Sequence, residues 1–204
     1  KIAYQEQKYA EAKSFLDRVT PVLPEHLPSN ALLGVVNYQL GNFEQAAARL
    51  EWYVSRAGYN IDIQRLLAEV YIKLGRGEEA INLLSSMAVK SAEDPSLYLM
   101  LGNAYMQNRA YGQAKENIEL ANAASPGQSS IGQQLATLNI LTGDSEQATK
   151  ELEAILAGED ANKQAEILLI WALVNSGDLD KAMEYASLGV KKYPKDPLRS
   201  FVEG

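Results

Sequence analysis

An alanine recurs every 34 residues without a gap, at Ala12, Ala46, Ala80, Ala114, Ala148 and Ala182. No other feature constrains the fold as strongly. A fixed period of this length means one supersecondary unit repeated, and such a unit buries its apolar face only by stacking on its neighbours. Thirteen residues ahead of the last five alanines stand Leu33, Leu67, Leu101, Leu135 and Leu169. The next residue is small at Gly34, Ala68, Gly102 and Ala136, with Ile170 the exception. Five residues ahead of the alanine, Gly41, Gly75, Gly143 and Gly177 recur, and Arg109 breaks the set.

Each period reads as a pair of helices. Gly41-Asn42-Phe43-Glu44, Gly143-Asp144-Ser145-Glu146 and Gly177-Asp178-Leu179-Asp180 share one logic. Glycine ends a helix in a left-handed turn. Asn or Asp then caps the next helix, and acidic residues in its first turn suit the helix dipole. The alanine follows one turn later, where two helices come too close for a larger side chain. Asp94-Pro95 and Asp196-Pro197 are further helix starts, with the acid as cap and proline in the first turn. No stretch sustains a period of two, so no strands are expected.

A helix–turn–helix unit of this length, with small, aromatic and proline positions, resembles the tetratricopeptide repeat (TPR). With the leucine counted as seventh, full frames cover 27–60, 61–94, 95–128, 129–162 and 163–196. Residues 1–26 are the end of an earlier frame, and 197–204 start a further helix. The aromatic fourth, eleventh and seventeenth positions are met by Tyr98, Tyr71, Tyr105, Tyr9, Phe43 and Tyr111. Gly77, Ser145, Asn37 and Asn139 depart from that pattern. The resemblance implies an all-α fold: a right-handed TPR superhelix, or α-solenoid, of antiparallel helix pairs, here about eleven helices plus a terminal stub. Because the chain opens on Lys1 and both ends fall inside repeats, we expect it to be a piece of a longer protein.

Composition narrows the function. A net charge of −7 gives no basic surface for nucleic acid. The absence of cysteine excludes disulfides, thiol catalysis and cysteine metal sites. His26 is the only histidine and lies in a loop between Pro24 and Pro28, so neither a metal site nor a Ser/His/Asp set can be assembled around it. The apolar run from Ile167 to Val174 is too short to cross a bilayer. Gly75-Arg76-Gly77 has no strand before it and reads as a turn, not a phosphate loop. We therefore expect no enzyme, no cofactor and no metal.

In TPR arrays the first helices line a concave groove. The positions that face it imply a partner-binding set of Tyr38, Arg65, Glu69, Lys73, Asn103, Met106, Gln107, Gln133, Thr137, Ile140, Trp171 and Asn175. Amides and aromatics suit an extended peptide, whose backbone needs hydrogen-bond partners and whose side chains need pockets. The two-carboxylate clamp of chaperone-binding TPRs is absent: Glu69 follows Arg65 where Asn is needed, and Leu99 stands where Lys is needed before Asn103. Trp171, with Val174 beside it, is expected to face the groove near Ile140 and Leu141. Frame 129–162 carries Asp144, Glu146, Glu151, Glu153, Glu159 and Asp160 against Lys150 alone, mostly on its second helix.

Several stretches also resemble the TPR lipoproteins of the bacterial exosortase/PEP-CTERM system: Leu66 to Gly75, Leu101 to Tyr105, Gln134 to Asp144 and Lys192 to Leu198. That resemblance implies a scaffold on the periplasmic side of the cell envelope, beside protein sorting and exopolysaccharide production. A cytoplasmic protein, a structural spacer and the non-catalytic arm of a multidomain enzyme are the alternatives. The sequence leaves the oligomeric state open.

Overall fold

The computed structural model describes residues 8–89, 94–158 and 162–192. Among these residues there are eleven helices and no strands: α1 (Tyr9–Val19), α2 (Leu27–Gln39), α3 (Phe43–Ala57), α4 (Ile61–Lys73), α5 (Gly77–Ala88), α6 (Pro95–Gln107), α7 (Tyr111–Ala124), α8 (Ser129–Thr142), α9 (Ser145–Leu156), α10 (Lys163–Ser176) and α11 (Leu179–Lys192). The helix expected to start at 197–204 lies outside the described residues, as do residues 1–7. The chain divides into two compact units, Lys1–Ala110 and Tyr111–Gly204. The first holds α1 to α6 and the second α7 to α11.

All six alanines of the 34-residue register are buried. Four of the five register leucines are buried too, and Leu135 is half-buried. A further core position comes from the middle of the second helix, where Leu50, Leu84, Ile118 and Leu152 have no exposure. This side chain explains the small residue after the leucine: a Cβ on Gly34 would lie 2.7 Å from Leu50 Cδ2. At Gly77, which stands at an aromatic position, a Cβ would meet only the end of the exposed Asn108 side chain, which can swing aside.

The turns inside the pairs share one construction. Gly41, Gly75, Gly143 and Gly177 all have positive φ, between 72° and 90°. Arg109, which broke the glycine set, adopts the same conformation at φ 57° and is the one non-glycine residue described with positive φ. At each site the left-handed residue and its successor donate their N–H groups back to the preceding helix, as in Gly41 to Tyr38 O and Asn42 to Asn37 O, both 2.9 Å. This is a Schellman closure. The backbone demand is therefore set by the repeat, and Arg109 meets it at a steric cost that glycine avoids.

Capping differs in part from the expectation. Asp94 caps α6 through Ser96 N–H at 3.0 Å, and Asp178 accepts from Lys181 N–H at 3.3 Å. Asn42 and Asp144 occupy cap positions but accept no capping bond. Their ψ values, 65° and 57°, are set by the two-residue turn. Asn60 and Asn162, which end longer connections, are extended and do cap, at ψ 105° and 163°. On α1, Phe15 and Val19 are exposed, while Leu16 is half-buried.

Candidate protein-binding faces

Within each unit the first helices lie side by side: α2 packs on α4 and α4 on α6 in the first unit, and α8 packs on α10 in the second. The expected partner-binding residues sit on these helices. The two units treat them differently.

In the first unit most of them are already engaged. The Tyr38 hydroxyl donates to the Glu69 carboxylate, joining α2 to α4. Its ring lies 5.9 Å from that of Phe43. Burial, reinforced by the Glu69 hydrogen bond and charge, pushes the Tyr38 phenol up to about 12. Arg65 forms an ion pair with Asp94, the cap of α6. Gln107 Nε2 donates to the Ile72 carbonyl at 3.1 Å. Each of these contacts links neighbouring repeats. Asn103 and Met106 are half-buried beside them, and Lys73 is exposed.

A second network, not anticipated from sequence, lies on the second-helix side. Arg76 sits over the Tyr71 ring at 4.5 Å and reaches Glu51 and Glu79, each at 2.9 Å. Burial, followed by the Glu51 charge, pushes Tyr71 up to about 12. Arg76 therefore ties α3, the α4–α5 turn and α5 together, so Gly75-Arg76-Gly77 is a structural turn. The available signal was Arg76 itself, placed where three other frames carry Asn42, Asp144 and Asp178.

The second unit presents an open face. Trp171 is 40 % exposed, Val174 49 % and Leu141 42 %. The polar neighbours turn inward on their own helices: Thr137 Oγ1 donates to Gln133 O and Asn175 Nδ2 to Trp171 O, both at 2.8 Å. Gln133 and Thr137 are half-buried and Asn175 is exposed. Ile140 corrects the expectation. It is only 6 % exposed and belongs to the core formed with Leu168, Leu169 and Ala172, so it does not front a partner. Ile140 drops between α8 and α10, whereas at the same frame position Tyr38 reaches across to Glu69 and Val174 is exposed.

On the acidic frame, Asp144, Glu146 and Glu153 are exposed, and Glu151 accepts from Asn139 Nδ2 at 3.1 Å and Gln147 Nε2 at 2.9 Å. Glu159 and Asp160 lie outside the described residues. His26 Nδ1 and Ser29 Oγ share a hydrogen bond of 2.7 Å at the start of α2. No helix among the described residues is long and apolar enough to cross a membrane.

Paired helices in a fixed register, with first helices side by side within each unit, define a helical-repeat scaffold. Tetratricopeptide-repeat family models match residues 31–98, 95–128 and 139–199. The chain belongs to the tetratricopeptide-repeat family, and its fold is an all-α solenoid of antiparallel helix pairs. Among solved structures it is similar to a thermophilic TPR protein of Thermus thermophilus, at 22% identity and TM-score 0.73, covering 87% of this chain and 97% of that one. A TPR protein from Parabacteroides merdae gives 16% identity and TM-score 0.82, covering 93% and 75%. Pseudomonas aeruginosa pilF gives 20% identity and TM-score 0.69, covering 95% and 88%. No curated protein matches the chain. Repeats of this family bind proteins or peptides, and the chain is a protein-interaction scaffold in that sense.

Proposed function

We propose that the second unit takes a partner segment on the face of α8 and α10, and that the first unit is a stiff, self-paired support. The observation that carries this reading is Trp171, exposed with Val174 and Leu141 on a face where Thr137 and Asn175 bond to the backbone of their own helices. Such a face has much apolar area to cover. Large aromatic anchors of this kind carry a disproportionate share of binding energy. The favoured ligand is an extended or helical segment with an apolar anchor residue. The spacer reading keeps its place for the first unit, because Tyr38–Glu69, Arg65–Asp94 and Gln107–Ile72 fill the corresponding face from within.

The resemblance to the exosortase/PEP-CTERM lipoproteins supports a working context on the periplasmic side of a bacterial envelope, with protein sorting or exopolysaccharide production as the process served. No catalytic role is proposed. The test is selection of peptides from a display library on the chain. Trp171→Ala should leave the fold intact and weaken the selected peptides by about 2 kcal/mol or more. Tyr38→Phe should leave their affinity unchanged. Equal affinity for Trp171→Ala and the parent would place the binding elsewhere.

A further inference from the structure

We propose that the cavity between the α4–α5 turn and the end of α6 binds a tyrosine side chain presented by a partner protein. The site belongs to the first unit and does not depend on the Trp171 face. It arises where the repeat leaves out a ring. The seventeenth frame position, at the start of the second helix, holds Tyr9, Phe43 and Tyr111 in three repeats. Gly77 and Ser145 lack the ring, and the Ser145 side chain is itself buried.

Gly77 faces the Asn108 side chain of the next repeat. One repeat earlier the same two positions hold Phe43 and Leu74, both packed against the core. Replacing a ring and a leucine by a glycine and a carboxamide leaves an open cavity of about 480 Å³, lined by Gly75, Arg76, Gly77, Glu78, Glu79 and Asn108. That volume lies in the range of small-ligand sites and accommodates one ring. The Asn108 carboxamide is exposed and takes part in no side-chain hydrogen bond among the described residues, so moving it aside forfeits none.

The lining selects the ligand. Gly75 and Gly77 offer bare peptide planes, on which a flat ring can lie. Arg76 is held over the Tyr71 ring by Glu51 and Glu79, so its charge is already matched. Glu78 is exposed and has neither an ion pair nor a hydrogen bond among the described residues. It needs a donor. The start of α5, where no side chain caps the helix, makes a cationic donor unfavourable. A phenol supplies an apolar ring with a neutral O–H donor at its tip. The same unit makes this pairing internally, where the Tyr38 hydroxyl donates to Glu69. Phenylalanine would leave Glu78 without a donor, and phosphotyrosine would bring negative charge against Glu78 and Glu79.

Titration of the isotope-labelled chain with N-acetyl-L-tyrosinamide, followed by amide NMR shifts, tests this. The expected result is a weak, saturable shift centred on Gly75, Gly77, Glu78 and Asn108. N-acetyl-L-phenylalaninamide should bind less tightly, and the phosphotyrosine analogue should not bind. Glu78→Gln, at an exposed position, should weaken the tyrosine probe by about threefold or more and leave the phenylalanine probe unchanged. Gly77→Phe with Asn108→Leu restores the Phe43 and Leu74 pair and fills the cavity. It should keep the circular dichroism spectrum and weaken the tyrosine probe by roughly tenfold or more. Three results would overturn the proposal: no saturable shift at Gly77 and Asn108, equal affinity for the phenylalanine probe, or undiminished binding in the folded, filled variant. The first two need no variant, so they decide the matter even where the filled variant fails to fold.

Discussion

Two stretches of one repeat register, α2 to α6 and α8 to α11, share their backbone turns and buried alanines yet finish the first-helix face in opposite ways. In the first, Tyr38, Arg65 and Gln107 bond to the neighbouring repeat and draw Glu69, Asp94 and the Ile72 carbonyl into the contact. In the second, Thr137 and Asn175 bond within their own helices, leaving Trp171, Val174 and Leu141 toward solvent. The difference lies in side-chain reach. Long polar side chains span the gap between first helices and close it, while short polar ones fold back and leave the apolar residues outside. A scaffold can thus set where it is rigid and where it is adhesive without altering its register.

The largest effects are expected where the two units are alike. Ala80→Leu in the first and Ala148→Leu in the second should each cost about 1–3 kcal/mol by overpacking, whereas Ala48→Leu on the exposed side of α3 should cost far less. Thermal or urea unfolding of the three variants decides this. Equal losses at Ala48 and Ala80 would mean the alanine register does not mark the helix contacts.

Alkaline pH should separate the units. Tyr38 and Tyr71, both in the first, have phenols raised from 10.0 to about 12. The folded state holds these protons while the unfolded state releases them. Their contribution is whole below the unfolded value near 10 and is lost as pH rises toward 12. Denaturation followed across this range should show a falling stability that Tyr38→Phe makes shallower. Glu69→Gln, which removes the neighbouring charge, should bring Tyr38 part of the way back toward 10, since burial remains the larger cause.

The smallest expected effect concerns the turn that closes the first unit. Arg109→Gly should stabilise by about 1 kcal/mol or less, the relief of a left-handed side chain less the added chain entropy of glycine. Gly143→Arg in the equivalent turn of the second unit should destabilise. Matching signs for the two changes would show that the turns are not equivalent.

Much of this architecture was legible because a repeat states its rules several times over. The alanine period located the close helix contacts, and the glycine period located a backbone conformation so firmly that Arg109 adopts it without the glycine. The faces were harder to read. Tyr38 to Glu69 and Arg65 to Asp94 join residues 31 and 29 apart, and their pairing depends on how adjacent repeats are offset. Ile140 joins the core with Leu168, Leu169 and Ala172, while Val174 at the same frame position is exposed, so frame position alone does not decide which way this side chain faces. Asn42 and Asp144 hold cap positions without a capping bond, while Asp178 in the equivalent turn accepts from Lys181 N–H, so residue type and turn together do not decide which side chain caps.

The central claim is that the second unit's face is the adhesive one. Two tryptophans report on the two units: Trp52, half-buried under Arg56 at 4.5 Å, and Trp171, exposed. The direct measurement is the emission of each alone, in Trp171→Phe and Trp52→Phe variants, during titration with a display-selected peptide. The account predicts that Trp171 emission shifts to the blue and resists acrylamide quenching as peptide binds, while Trp52 emission stays where it was. A saturating titration that moves Trp52 and leaves Trp171 unchanged would contradict it.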